Sequence, residues 1–375
     1  MKRAFLVGAT IAVALAGSVC GGTAHADIPV AKASVPALAL PEPTGNHPVG
    51  MTTMHLEDEG RADPWVPTED RELMVSLWYP ATKPSRTPAS YMTTAESRKY
   101  GESTGLGLPP DLFATVATHA TVEAEPVRVR GGLPLVVLSP GFGMPRATLS
   151  GLAEELAGRG YAVAGIGHNF EAHGTTFPDG HTTACVACEN TDFPRVGAVR
   201  AQDVSFVLDE LTGEHSAWKG GALIDKGRIA MVGHSAGGFS TIPAMLRDPR
   251  VKAGANMDGN FRFPNDAPLN RPVLMLGKPS HVPGGQDPTW DQTWHELTGW
   301  KRWVSVDDTE HLSFTDLAPL AKQLGSPLQQ LDGDRVDTIT RSYVAAFLDT
   351  HLRGRNAPLL DGPSVQHPEV RFHAP

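Results

Sequence analysis

Residues 227–241, GRIAMVGHSAGGFST, decide how the rest of the chain is read. Residues 229–232 are a short apolar run of β-like composition that leads straight into Gly233-His234-Ser235-Ala236-Gly237-Gly238. Beyond it Phe239, Ile242 and Leu246 recur at helical spacing. The pattern predicts strand, sharp turn, helix, with G-x-S-x-G at the turn. A serine there sits in a strained backbone with its hydroxyl exposed, and the small residues around it let strand and helix approach. Ser235 is the candidate nucleophile; His234 is expected to pack behind the turn and point away from Ser235.

The chain around this stretch alternates strands and helices. Residues 133–138 (LPLVVL) form a continuous apolar run of the kind a central parallel strand shows when both its faces are covered. Residues 146–160 place Leu149, Leu152 and Leu156 on one helical face before Gly158 and Gly160, and residues 161–166 (YAVAGI) return to strand. This is a βαβ unit, which implies a parallel sheet. Residues 51–56 and 72–79 read as an opening hairpin, 81–127 as a surface excursion, and 196–211 as a helix ended by Gly213. On that helix Asp203 and Asp209 are expected to be solvated or capping. Later strands are expected at 251–257, 271–277 and 302–306, and a closing amphipathic helix at 334–353. The fold class is therefore α/β, and its elbow resembles that of α/β-hydrolases: a mostly parallel central sheet with helices on both faces.

A serine hydroxyl needs a base, and the base needs a carboxylate to hold its tautomer. In the fold it resembles, these follow the serine in the order acid, then histidine. His311 is the histidine just after the last legible strand. His295 falls in a probable helix, and His351, His367 and His373 lie at or beyond the closing helix. Two acids follow strands, Asp258 and Asp287, and both stay open on spacing alone. The oxyanion needs two backbone donors. Ala236, following the nucleophile, and Phe142, in the glycine-containing loop 140–144, are the expected pair.

The ends and the excursions set the context. Met1-Lys2-Arg3, an apolar run over 4–17 and Ala24-His25-Ala26 have the three parts of a secretory signal peptide over residues 1–26. A lipoprotein reading of Cys20 fits poorly with Ser18 and Val19 before it. Removal of those 26 residues leaves 349, and the loss of Lys2 and Arg3 takes the formal charge from −9 to −11. An acidic chain has no electrostatic reason to seek nucleic acid or an anionic membrane surface. Its 19% charged and 41% hydrophobic content is that of an ordinary globular protein. Residues 27–50 read as a Pro/Ala-rich lead-in, 51–355 as the folded domain and 356–375 as a C-terminal tail. In an exported chain Cys185 and Cys188 would most simply pair with each other; a zinc site with His173 or His181 is the sharper alternative, on a weak C-x-x-C signal.

With these residues in place the chain, over about 73–354, resembles the plasma-type platelet-activating-factor acetylhydrolase family. The matching pieces are LWYPA (77–81), SPGFGMPR (139–146), QDVSFVLDEL (202–211), GHSAGG, Asp258 and HLSFTD (311–316). The resemblance implies that the acid follows the strand next after the nucleophile strand, which favours Asp258. It also implies a cofactor-free serine esterase for short or oxidised acyl chains, with a small-molecule or lipid ester as substrate. Here Gly259-Asn260 precede Phe261, where the family's acetylhydrolases carry an aromatic soon after the acid, and the Cys185/Cys188 excursion looks extra. The alternatives are a cutinase or polyester hydrolase with the same triad, or a catalytically silent binding protein on the same fold. Neither metal nor cofactor is called for, no membrane span is expected, and contact with a lipid interface is compatible with the substrate. The oligomeric state is not legible.

Overall fold

The computed structural model describes residues 37–262 and 267–375. The expected signal peptide, Cys20 and the first part of the lead-in lie outside the described residues.

The chain opens with an antiparallel hairpin, β1 (Val49–Ala62) and β2 (Asp70–Pro80), followed by α1 (Thr94–Ser103) and the short β3 (Ala120–Val122). The βαβ unit comes next: β4 (Leu133–Ser139), α2 (Ser150–Gly158) and β5 (Ala162–Gly167). A two-residue-per-strand hairpin, β6 (Thr175–Thr176) with β7 (Thr182–Thr183), interrupts before α3 (Phe193–Thr212). Then follow β8 (Ile224–His234), α4 (Ala236–Phe239), α5 (Thr241–Arg247), β9 (Val251–Met257), β10 (Val273–Gly277), α6 (Pro288–Glu296) and β11 (Lys301–Val306). The chain closes with α7 (Leu317–Gln323), α8 (Gly333–Arg353) and β12 (Val370–His373).

Ten of these strands make one sheet in the order β12-β11-β10-β9-β8-β4-β5-β2-β1-β3. The six from β11 to β5 run parallel, and β8, which leads into Ser235, lies in the middle. The apolar run in β4 divides between the two faces because strand side chains alternate. Val136 and Leu138 pack with Leu152 and Leu156 of α2 and Phe347 and Leu348 of α8. Leu135 and Val137 pack with Val204 and Leu208 of α3, Ile242 of α5 and Trp290 of α6. Burying both faces leaves the strand ends as the place where polar loops can converge, and the carboxyl ends are where open parallel sheets bind ligands.

Three expectations are corrected. Residues 356–375 are not a tail: β12 pairs antiparallel with β11, Trp303 opposite His373 and Val306 opposite Val370. The described part of the lead-in is built into the molecule, with Leu38 and Leu40 buried in a cluster with Tyr91, Tyr100, Phe113 and Leu320. That cluster also takes up much of the excursion 81–127. Asp203 is fully buried rather than solvated; Asp209 is exposed and pairs with Arg250 at 2.7 Å.

Candidate active site

The elbow is built by glycines where no side chain fits. A Cβ on Gly233 would lie 2.1 Å from the Gly237 carbonyl carbon, and one on Gly237 would lie 1.9 Å from the Ser139 carbonyl oxygen. Bare Gly233 lets β8 lie against the turn into α4, and bare Gly237 lets that turn lie against the end of β4. Ser235 stands between the two glycines at φ 53°, ψ −114°, a conformation that costs a non-glycine residue on the order of 1–3 kcal/mol. Its N–H bonds to Met257 O at 2.9 Å, which ties the turn to the end of β9.

Two later strand ends bring partners to this serine. His311 lies five residues after β11, and its Nε2 is 2.8 Å from Ser235 Oγ. Asp258 follows β9 with φ 58°, and its Oδ2 is 2.6 Å from His311 Nδ1. Burial pushes the Asp258 carboxyl up, but hydrogen bonds from His281 and His311 outweigh it and hold the group down at about 2. An ionised Asp258 only accepts, so Nδ1 of His311 carries the proton and Nε2 faces the hydroxyl as an acceptor. Asp287 does not touch His311. It caps α6, accepting the Thr289 N–H at 3.0 Å. His234, as expected, points away from the serine: its Nε2–H donates to His311 O at 2.8 Å, and burial lowers its pKa to about 4, keeping it neutral.

The loop after β4 supplies the other side of the site. Gly237 N–H bonds to Pro140 O at 3.2 Å, and Gly143 N–H to Glu171 O at 2.8 Å. Among the described residues the N–H groups of Phe142 and Ala236 bond to no protein acceptor, as donors kept for a substrate oxygen would be. Behind the loop lies a buried ionic network that the sequence reading missed. Arg200 donates to Glu171 Oε2 at 2.8 Å, to Ser139 Oγ at 3.1 Å and to Pro140 O at 2.5 Å. Ser139 Oγ meets His168 Nε2 at 2.9 Å, and His168 Nδ1 meets Asp203 Oδ2 at 2.8 Å. Arg71, also buried, bridges Asp203 at 2.5 Å and Asp63 at 2.8 Å. Burial lowers the His168 pKa, leaving a neutral ring that donates to Asp203 and accepts from Ser139. A signal for this was present: Arg200 and Asp203 share the apolar face of α3 with Val196, Val204 and Val207, where unpaired charge is not tolerated.

Cys185 and Cys188 form a disulfide, so neither sulfur is the thiolate that a zinc ion would need. The bridge backs the same loop, with Cys188 Sγ 3.7 Å from His173 Nε2 and His173 N–H on Gly143 O at 2.9 Å. His181 is elsewhere, stacked on Phe177. Beside the two free N–H groups stands an aromatic wall: Phe142 edge-on to Phe193 at 5.6 Å, Phe193 edge-on to Phe239 at 6.1 Å, and the Arg262 guanidinium 4.5 Å over Phe193. The site faces solvent, the His311 side chain being 42% exposed.

A parallel sheet with a serine elbow on its central strand, and an imidazole and a carboxylate arriving from later strand ends, is the architecture of an α/β-hydrolase. The sequence profile of the family described as platelet-activating factor acetylhydrolase, isoform II, matches residues 32–186. The chain is 27% identical over 384 residues to a probable 1-alkyl-2-acetylglycerophosphocholine esterase of Arthroderma benhamiae, covering 90% of this chain and 95% of that one. It is 21% identical over 355 residues to the platelet-activating factor acetylhydrolase of Cavia porcellus, covering 84% and 78%. Among solved structures, a ferulic acid esterase from Streptomyces cinnamoneus superposes with a TM-score of 0.81 at 44% identity, covering 90% of this chain and 100% of that one. The chain belongs to the platelet-activating-factor acetylhydrolase-like family of α/β-hydrolases, and it is a serine hydrolase of carboxylic ester bonds.

Proposed function

We propose that Ser235, His311 and Asp258 act as a catalytic triad on carboxylic esters, without a cofactor. The observation that carries this is the continuous hydrogen-bond chain from Asp258 Oδ2 through His311 to Ser235 Oγ. His311 Nε2 takes the Ser235 proton as Oγ attacks the ester carbonyl. The imidazolium so formed is held by ionised Asp258, and the N–H groups of Ala236 and Phe142 receive the oxyanion. His311 then gives its proton to the leaving alcohol, and a water activated by the same imidazole frees the acyl group. The test is Ser235→Ala: turnover of p-nitrophenyl acetate falls by on the order of 10⁶ and labelling by a fluorophosphonate probe is lost. Activity retained in that variant, or wild-type protein that the probe never labels, would exclude the scheme.

The family resemblance supports short or oxidised acyl lipids as substrates. A second reading, an ester of an aromatic acid, is favoured by the wall of Phe142, Phe193 and Phe239 beside the free N–H groups, and by the 44%-identical ferulic acid esterase. Comparing kcat/KM for methyl ferulate and for a short-acyl phosphocholine ester separates the two. We also read the protein as secreted, on the pattern of residues 1–26 and the disulfide. Among the described residues no helix is long and apolar enough to cross a membrane. A mature N-terminus other than Asp27 in exported material would count against this cleavage site.

A further inference from the structure

Asp258 holds His311 with one carboxylate oxygen, and its other oxygen is equally engaged. Oδ1 accepts the Lys278 backbone N–H at 2.8 Å and meets His281 Nδ1 at 2.7 Å. Because ionised Asp258 cannot donate, the proton of that second contact sits on His281. The His281 ring is buried, stacked on Trp290 at 4.4 Å and 15°, and its carbonyl accepts the Trp303 Nε1–H at 3.0 Å. Space for it is made by Gly277, where a Cβ would lie 2.8 Å from that of His281. On the far side, His281 Nε2 faces Asp287 Oδ2 at 3.6 Å, and that oxygen is buried with no hydrogen-bond partner among the described residues. The charged groups around His281 are thus Asp258 and Asp287, with His311 across Asp258; the Lys278 ammonium is drawn off toward Glu310, 3.9 Å away.

We infer that His281 is a positioning residue of the triad, one that locks Asp258 from behind and weakens the carboxylate's pull on His311. A carboxylate held at one oxygen by a single backbone N–H can turn about its Cβ–Cγ bond; a second donor fixed by stacking removes that freedom and leaves Oδ2 aimed at His311. Each donor on Oδ1 also spreads the negative charge away from Oδ2, so His311 is less basic than it would be with Asp258 to itself. The inference rests on the triad reading given above. Nothing in the short sequence GKPSH marks it, because the partner lies twenty-three residues upstream at another strand end.

The test uses the full mature enzyme and p-nitrophenyl acetate, with kcat and KM followed across pH. His281→Phe keeps a flat ring on Trp290 and removes the donor. It is expected to lower kcat about tenfold, the rate equivalent of one hydrogen bond to a charged group, with KM within about twofold. The acid limb of kcat/KM should move up by about half a pH unit or more as His311 gains basicity. His281→Asn, which can place an amide N–H near where Nδ1 stands, should recover kcat to within about threefold. An acid limb that stays put in His281→Phe, whether or not kcat falls, overturns the inference, since packing alone would not move it. If His281→Phe does not fold, ¹⁵N-histidine NMR of the wild type replaces it: two far-downfield Nδ1–H protons, one on each ring, are expected, and a single one on His311 overturns the proposal. Ser235→Ala and His311→Ala run alongside; activity in either refutes the triad itself, whereas both inactive with His281→Phe matching wild type refutes only the role of His281.

Discussion

Replacing Arg200 with methionine should expose what the network behind the loop after β4 does. The guanidinium satisfies three acceptors at once, Glu171 Oε2, Ser139 Oγ and Pro140 O, in a site where Arg200 is 1% and Glu171 0% exposed. Methionine fills the volume of the stem and supplies no donor, so Glu171 is left as a buried charge. Breaking a buried pair from one side costs about 3–5 kcal/mol. Glu171 keeps the Trp65 Nε1–H at 3.2 Å and the Arg71 guanidinium at 3.8 Å, so the lower end, about 3 kcal/mol, applies here. For a domain of this size that is a fall in Tm of about 4 °C. The double variant Arg200→Met/Glu171→Gln removes the stranded charge and should regain at least half of the loss, read by calorimetry. Activity should not return with stability. Pro140 O would still lack its Arg200 donor, the Phe142 N–H would be free to drift, and kcat should stay about tenfold or more below wild type with KM little changed. A single variant as stable as wild type, or a double variant no better than the single, would refute the stranded-charge argument. Full kcat in the stable double variant would show that the loop does not depend on Arg200.

Three further outcomes follow from the geometry. Asp258→Asn should lower kcat by about 10⁴ and Asp287→Asn by no more than about threefold, because only Asp258 touches His311; equal losses in ester turnover would contradict the assignment. Gly237→Ala drives a Cβ to 1.9 Å from the Ser139 carbonyl oxygen, backbone against backbone, so the elbow must open; loss of fluorophosphonate labelling and a lower Tm are expected, and normal labelling would count against the elbow geometry. Burial raises the Asp337 carboxyl to about 6, against the Arg341 charge that lowers it, so the folded state holds a proton there that the unfolded chain gives up near pH 3.8. The contribution of this group is therefore greatest below about pH 4 and is lost as pH rises through about 6, a change of about 3 kcal/mol, and Asp337→Asn should flatten that part of a Tm-against-pH curve.

What could be read from the chain and what could not divides along contact distance. Ser235, Asp258 and His311 were legible because each sits at the end of an apolar run, and a parallel sheet brings such ends to one rim. The export signal read over residues 1–26 likewise pointed to a local bridge between Cys185 and Cys188. By contrast, Arg71 and Asp203 meet across 132 residues, and Arg200 and Pro140 across 60, with no periodicity to announce it. A charged residue on the apolar face of α3 gave the only hint, and it was read as a surface group. Strand β12 escaped because four residues, Val370–His373, are too few to show alternation and follow a stretch with proline and polar residues. His281 carries no local signal, because its partner is the carboxylate that also holds His311, at a different strand end.

The antiparallel strand β12 bears on how the segment carrying His311 is held. Asp307 N–H is held by Glu369 O at 2.9 Å, and Arg371 clamps the Asp307 carboxylate at 2.5 Å, four residues before His311. Loss of residues 369–375 would therefore remove both ties to Asp307, together with the buried Val370, and slacken the segment that carries His311.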